Sequence, residues 1–413
     1  MNIWIVTVGE PIPADGENVR LHRSGIMSSM LSAAGHQVHW FNSRFDHFKK
    51  ENRAISGSFE LGDRYTLHLL EGRSYKRNVS VSRMINHVQI ATDFEKKITG
   101  MTKPDVILCS FPTIELSYSC VKFGKENKTP VLIDVRDLWP DIFVDILPSF
   151  LEWAGKLVLF NLYRQTKYAL KHAEAITAVS EKYLDWGLQY ANRKKHQNDK
   201  VFPLAYPMLE SEWVASKEAV DTCEGLGVNP DYPIALFIGT FGRTYDLTPA
   251  ILGIKLINKN SDIPVQLVLC GDGDFGEKWK SLAEADPNII FTGWVEKPAL
   301  EYMMSVSNIG LAAYVRDAPQ GVPNKVIEYL ARGLPILSSL KGETESLLSA
   351  ENCGLTYDPS DPSQFASAVL EILNDKISDD MSKNAKKLYL KKYAAETVYL
   401  EYINLLEHYA TLK

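Results

Sequence analysis

Lys325 and Glu328 stand three residues apart in the stretch Gln320-Gly321-Val322-Pro323-Asn324-Lys325-Val326-Ile327-Glu328-Tyr329, with Gly333-Leu334-Pro335 just behind it. Pro323 suits an early helical position, where its missing N–H needs no partner, and Gly333 suits a helix end. The start of such a helix gathers unpaired N–H groups and the positive end of the dipole, so it attracts an anion. Residues three apart share one helix face. A cation and a carboxylate beside an anion site fit a nucleotide: Lys325 and the helix start near Asn324 for the diphosphate, Glu328 for the ribose hydroxyls. The competing reading is an ordinary loop–helix–strand unit carrying a surface Lys–Glu pair.

Other turns have the composition of ligand loops. Gly239-Thr240-Phe241-Gly242-Arg243 follows the apolar run Ile234–Ile238. Gly239 and Gly242 let backbone approach a phosphate, and Arg243 can pair with it bidentately. Gly271-Asp272-Gly273 follows Gln266–Cys270, and Gly293-Trp294-Val295 follows Ile289–Thr292, where backbone groups at Trp294 and Val295 can hold a nucleobase. Each pair alone reads as a simple βα turn; four such turns at strand ends of one domain point to a joint site. The loop Ser338–Glu345 adds Glu345, either near a sugar or an acid in the first turn of a helix. In the first half, Gly9–Arg20 is a long Gly/Pro loop after Ile3–Val8. It lacks G-x-G-x-x-G, the dinucleotide fingerprint. Gly16 would admit a ligand to the backbone, and Arg20 and Arg23 would supply positive charge. Strand Pro130–Val135 runs into Arg136-Asp137-Leu138-Trp139-Pro140-Asp141. There Asp137 is the candidate proton acceptor, or orienter of an acceptor hydroxyl, and Trp139 a pocket wall. The alternative is an internal Arg–Asp pair with a core Trp.

These loops need strands to end at them. The first half alternates apolar runs (Ile3–Val8, Gln37–Asn42, Val106–Ser110, Pro130–Val135, Ala175–Val179, Lys200–Leu204) with helical periodicity at Leu21–Ala34 and Val79–Ile98. Residues 207–232 are polar and punctuated by Pro and Gly. A second alternating series follows, from Ile234–Gly239 through Val265–Cys270, Ile289–Thr292, Ile309–Ala313 and Ile336–Ser339 to Gly354–Tyr357. The pattern predicts two tandem doubly wound α/β domains, 1–206 and 207–385, with ligands at the carboxyl ends of strands and the cleft between the domains as the default site. The last predicted helices are Gln364–Asn374 and Ala394–Ala410, and the segment 386–413 is expected to cross back to the first domain.

Composition narrows the class. At 413 residues two domains are the default. A net charge of −6 argues against a dedicated nucleic-acid binder. Five scattered cysteines without a C-x-x-C pair suggest neither a disulfide framework nor a zinc site. The N-terminus opens on a strand-like run rather than a signal peptide, and no apolar run is long enough to span a bilayer. The expectation is a cytoplasmic protein.

In this order and spacing the motifs resemble the retaining GT-B glycosyltransferases of family 4, most of all the bacterial surface-polysaccharide branch with an Arg-Asp-Leu-Trp-Pro motif. The resemblance rests on Arg136–Pro140, Ala178-Val179-Ser180-Glu181, Gly239–Arg243, Gly271-Asp272-Gly273, Phe291–Val295, Pro323-Asn324-Lys325, Glu328-Tyr329 and Gly333-Leu334-Pro335. It implies two Rossmann-like doubly wound domains facing a central cleft, the first for acceptor and the second for a nucleotide-sugar donor. It implies a hexosyltransferase reaction with retention, without metal or other cofactor, in which Arg243 and Lys325 neutralise the leaving group. Uridine is the expected base, and the acceptor a lipid-linked or glycan molecule of O-antigen or capsule assembly. The family places two glutamates with seven residues between them. Glu328 matches the second; the first falls on Gln320, whose amide can still bond a sugar hydroxyl. The lysine that such enzymes often carry after the first strand of the second domain has no clear counterpart, Tyr245 and Asp246 lying where it would be sought. Rival expectations are a GT-B sugar-nucleotide epimerase or hydrolase, and a non-catalytic nucleotide-sugar-binding partner.

The apolar segment Phe150–Arg164, continued by Lys167 and Lys171, reads as a buried helix of the first domain or, alternatively, as an interfacial helix that brings residues 150–171 to the inner face of a membrane. The buried helix is the leading expectation.

Overall fold

The computed structural model describes all residues except 17, 18, 20, 78, 79, 146, 208–213, 260, 262, 319, 412 and 413. Arg20 therefore lies outside the described residues. The chain divides into two compact units: Met1–Pro203 with Tyr399–Lys413, and Leu204–Val398. The final helix, Ala395–Thr411, thus returns to the first unit, where Tyr402 stacks on Phe202 at 4.0 Å.

In the first unit, β1 (Asn2–Val6), β2 (Gln37–Ser43), β5 (Gly57–Gly62), β6 (Tyr65–Leu70), β7 (Val106–Phe111), β8 (Val131–Val135), β9 (Ala175–Ala178) and β10 (Lys200–Val201) form one sheet. Its order is β10-β9-β8-β7-β1-β2-β6-β5, and β3 (Phe45–Asp46) pairs with β4 (Glu51–Asn52) in a small ribbon. Every pair in the large sheet is parallel except β5–β6. β7 and β8 are buried throughout, as parallel strands covered on both faces must be. The β5–β6 hairpin escapes the sequence pattern because β5 is an edge strand whose outward residues are exposed and polar. Trp4, Phe41, Phe94 and Phe111 belong to the core on one face.

The second unit holds β11 (Ile234–Ile238), β12 (Gln266–Cys270), β13 (Ile289–Gly293), β14 (Ile309–Ala312), β15 (Ile336–Ser338) and β16 (Gly354–Thr356). All pairings are parallel, in the order β13-β12-β11-β14-β15-β16. Strand order reverses between β11 and β14, and such a reversal opens a crevice at the carboxyl ends of the two strands. Separate cores cover the two faces, one under Tyr329 and Leu330, the other under Phe237 and Phe365. Helix Asp375–Lys392 is absent from the sequence expectation, since its charged residues hide a narrow apolar stripe of Met381, Ala385, Leu388 and Tyr389.

The segment after Pro148 corrects the expectation of one buried helix. It breaks into a 3-10 turn (Ser149–Leu151) and helices Glu152–Val158 and Phe160–His172. None of Glu152–Val158 is buried, and Trp153 and Leu157 are each 68% exposed. Among the described residues no helix is long and apolar enough to cross a membrane.

Candidate functional site

The sequence-predicted residues of the second unit lie at the carboxyl ends of its strands and at the start of the helix before β15. Three glycines lie in a row across adjacent strand ends. Gly239 N–H donates to the Cys270 carbonyl and Gly271 N–H to the Gly293 carbonyl, both at 2.9 Å. A Cβ on Gly271 would overlap the Gly239 carbonyl oxygen, so only glycine permits this approach. Phe241 N–H donates to the Asp272 carbonyl at 2.8 Å, which ties the Gly239–Arg243 turn to Gly271-Asp272-Gly273. Gly242 closes the next turn by accepting from Tyr245 N–H at 3.1 Å, leaving Arg243 exposed. Trp294, just past β13, is 73% exposed, and Val295 is half-buried.

Helix Asn324–Arg332 begins one residue after Pro323, which takes the N-cap, and ends at Gly333 in the left-handed conformation. Tyr329 anchors it beneath the sheet. Its hydroxyl accepts from Ile238 N–H at 3.1 Å and donates to the Leu236 carbonyl at 3.2 Å. The anchoring turns Lys325 inward and leaves Asn324 exposed. Lys325 is 7% exposed. Its ammonium lies 3.7 Å from the ring centre of Phe237, 4.0 Å from Tyr245 and 5.3 Å from Tyr314. It sits against Gly239, and Nζ has no hydrogen-bond partner among the described residues. Burial pushes the ammonium well below its ordinary pKa, a shift that the half-buried Glu328 carboxylate opposes. Tyr245, where a lysine would be sought, is thus a wall of the cage that holds Lys325. Gln320 is half-buried, its Oε1 also without a hydrogen-bond partner among the described residues. Next to it the Gly321 carbonyl accepts from the Thr344 hydroxyl. Glu345, in the first turn of helix Glu343–Glu351, pairs with Lys341 at 2.7 Å. The caged ammonium thus lies against the glycine-lined end of β11.

In the first unit the candidates distribute differently. Gly16 is exposed, with nothing within 4 Å of a Cβ placed there. The loop before it turns inward: Asp15 pairs with Arg53 at 2.6 Å. Arg23 is not available to a ligand, because its guanidinium is buried on both oxygens of Asp134, each at 3.0 Å, and on the Pro203 carbonyl at 2.6 Å. The Arg136–Asp137 pair suggested by adjacency does not form, since neighbouring residues leaving a strand point in opposite directions. Arg136 instead binds Asp134 at 2.7 Å, Glu10, and the Ser24 hydroxyl at 3.1 Å. Asp137 accepts from Leu138 N–H at 2.9 Å and from the Trp139 indole N–H at 3.1 Å. Trp139 is buried, stacked on His87 at 5.5 Å. Near it lies a group that sequence reading missed. Glu115 lies in the first turn of helix Ile114–Asn127, and burial pushes its carboxyl up to about 7, while burial and nearby Arg83 push His87 down to about 3. Glu10 and Asp134 were missed too, although a lone acid in the apolar run Val131–Val135 is itself a signal for a buried cation partner.

Residues 232–375 match the family model described as glycosyl transferases group 1. An uncharacterized glycosyltransferase of Methanocaldococcus jannaschii is 23% identical over 194 residues, a stretch spanning 46% of this chain and 48% of that protein. The match thus spans about half of that curated relative. Among solved structures, a sucrose-phosphate synthase from Thermosynechococcus elongatus has a TM-score of 0.73 at 15% identity, covering 98% of both chains. HepE from Anabaena, in complex with UDP, has a TM-score of 0.64 at 12% identity, covering 98% of this chain and 99% of that one. WaaG, a glycosyltransferase involved in lipopolysaccharide biosynthesis, has a TM-score of 0.63 at 12% identity with the same coverage. The fold is GT-B, with two Rossmann-like units, and the matches support a GT-B glycosyltransferase.

Proposed function

We propose that this protein is a retaining, metal-independent glycosyltransferase that moves a sugar from a UDP-sugar to a lipid-linked or glycan acceptor of bacterial surface polysaccharide (O-antigen or capsule) at the inner face of the cytoplasmic membrane. One observation carries the reading: a nine-tenths-buried lysine, without a hydrogen-bond partner among the described residues, caged by aromatic rings beside the glycine turns at the strand ends. As the bond from the anomeric carbon to the diphosphate breaks, negative charge develops on the leaving phosphate. Lys325, Arg243 and the N–H groups at the start of Asn324–Arg332 would stabilise it by preorganised electrostatics, and for that reason the reading assigns no metal. Glu328 would hold the ribose, Trp294 and Val295 would flank the base, and the Gln320 amide would bond a sugar hydroxyl. On the acceptor side Asp137 would orient the attacking hydroxyl, which bonds to the anomeric carbon on the face the diphosphate leaves while its proton passes to the departing phosphate oxygen. The UDP-bound and UDP-glucose-bound structures of HepE support a uridine donor, and the role of WaaG supports a surface-glycan acceptor. The test is a panel of nucleotide sugars incubated with the purified chain, with and without lipid-linked acceptor. Acceptor-dependent release of nucleotide is expected. Release or isomerisation without acceptor would indicate an epimerase or hydrolase, and binding without turnover a non-catalytic partner.

A further inference from the structure

The first unit carries a groove of about 520 Å³ that the donor chemistry does not use. Trp139 and Phe143 line it from the segment after β8, Val81 and Met84 from helix Val81–Ile98, and Ala154 and Val158 from helix Glu152–Val158. No acid lies among its lining residues. Its rim is exposed among the described residues: Val81 is 72% and Val158 82% exposed. Apolar walls left in water favour an apolar occupant.

The groove has one charged landmark. The Arg83 guanidinium lies 4.4 Å from the centre of the Trp139 ring. The indole N–H of Trp139 reaches the Asp137 carboxylate. Arg83 lines the groove, its guanidinium held below its ordinary value by burial, with Tyr75 and Asp137 opposing the shift. An apolar trough, then a cation, then the acceptor-side carboxylate follow in sequence. That series matches one kind of molecule: a hydrocarbon chain, its phosphate, and the group the phosphate carries. A bare glycan would leave the walls wet, and inorganic phosphate would leave the trough empty.

We propose that this groove seats the apolar chain of a phosphorylated acceptor lipid, with Arg83 at the phosphate and Asp137 beyond it. The proposal rests on the transferase reading and names the acceptor class within it. It also separates two roles for the apolar residues of this region. Ala154 and Val158 line the groove, whereas Trp153 and Leu157 are exposed without lining it.

Calorimetry on the full chain tests this with farnesyl diphosphate, inorganic diphosphate, UDP, and vesicles of phosphatidylcholine with phosphatidylglycerol. Farnesyl diphosphate is expected to bind on the order of a hundredfold tighter than inorganic diphosphate, because each buried methylene contributes a factor of about four. Ala154→Phe fills the groove and Val158→Glu charges its open wall. Each should weaken farnesyl diphosphate at least about tenfold while UDP binds as before. The double variant Trp153→Ser, Leu157→Ser should lower vesicle binding and leave farnesyl diphosphate unchanged. Equal affinity for the two diphosphates, or wild-type farnesyl diphosphate binding in both groove variants, overturns the proposal. So does binding to vesicles alone, which would make the face a membrane-adsorbing surface. Failure of the wild type to bind UDP would instead sink the transferase reading. Val158 is exposed enough that its variant should fold even if Ala154→Phe does not.

Discussion

Replacing Lys325 with methionine should make the protein more stable and its donor site worse, a combination that a merely structural lysine would not produce. Nζ is buried without a hydrogen bond and held by ring faces, 3.7 Å from Phe237 and 4.0 Å from Tyr245. Burying an ammonium costs several kcal/mol, and a desolvated cation–π contact returns about 2 kcal/mol. Methionine fills nearly the same volume without the charge, so the variant should gain about 1–3 kcal/mol. For a unit of this size that is a rise in melting temperature of ~2–4 °C per kcal/mol. The donor loses a charge-assisted bond to its diphosphate, worth about 1.5–3 kcal/mol, and UDP affinity should fall about ten- to a hundredfold. The pH dependence has a definite sign. The folded-state pKa of Lys325 lies below the ordinary 10.5, so the unfolded chain binds more protons between the two values. Wild-type stability should therefore gain, relative to the variant, as pH rises through that window towards 10.5. Below the folded-state pKa the full penalty applies and the variant's advantage is largest. Thermal melts across pH and calorimetry with UDP read both effects. A Lys325→Met protein that melts lower and binds UDP like the wild type would refute the assignment.

Glu328→Ala should lower donor turnover at least about tenfold while secondary structure by circular dichroism stays unchanged; full activity would remove Glu328 from the site. Gly271→Ala should cost more than about 1 kcal/mol and weaken UDP binding, because the new methyl overlaps the Gly239 carbonyl and must push the strand ends apart. In the first unit, burial works to raise the Asp134 carboxyl, but Arg23 and Arg136 outweigh it and hold the group below 3.8. Its contribution to stability is thus present above that value and lost as pH falls through the lowered one. Asp134→Asn should flatten the acid limb of a stability–pH curve, and an unchanged limb would show that other groups control acid unfolding.

How much of this was legible beforehand can be judged residue by residue. The alternation of apolar runs and amphipathic stretches announced two doubly wound sheets, and the long central strands fell where periodicity put them. Strands β5 and β6 and helix Asp375–Lys392 did not; in β5 and the helix, solvent-facing polar residues mask the apolar stripes. The glycine turns were visible as strand-end loops; that Gly239, Gly271 and Gly293 lie side by side came from the 3-2-1-4-5-6 type of strand order, which no local pattern encodes. Glu345 lies in the first turn of its helix.

By itself the sequence of Gln320–Tyr329 determined that a helix begins near Pro323 with a cation and a carboxylate on its first turns, because Pro, Gly and residue spacing act locally. Only the tertiary structure decided what Lys325 is: not a surface partner of Glu328, but a buried cation among Phe237, Tyr245 and Tyr314, residues 11 to 88 positions away. The same holds for Arg136, which passes over its neighbour Asp137 to reach Glu10 and Asp134. Charge partners are chosen by which strand ends the fold sets together and by how much water it removes, and neither is a property of spacing along the chain.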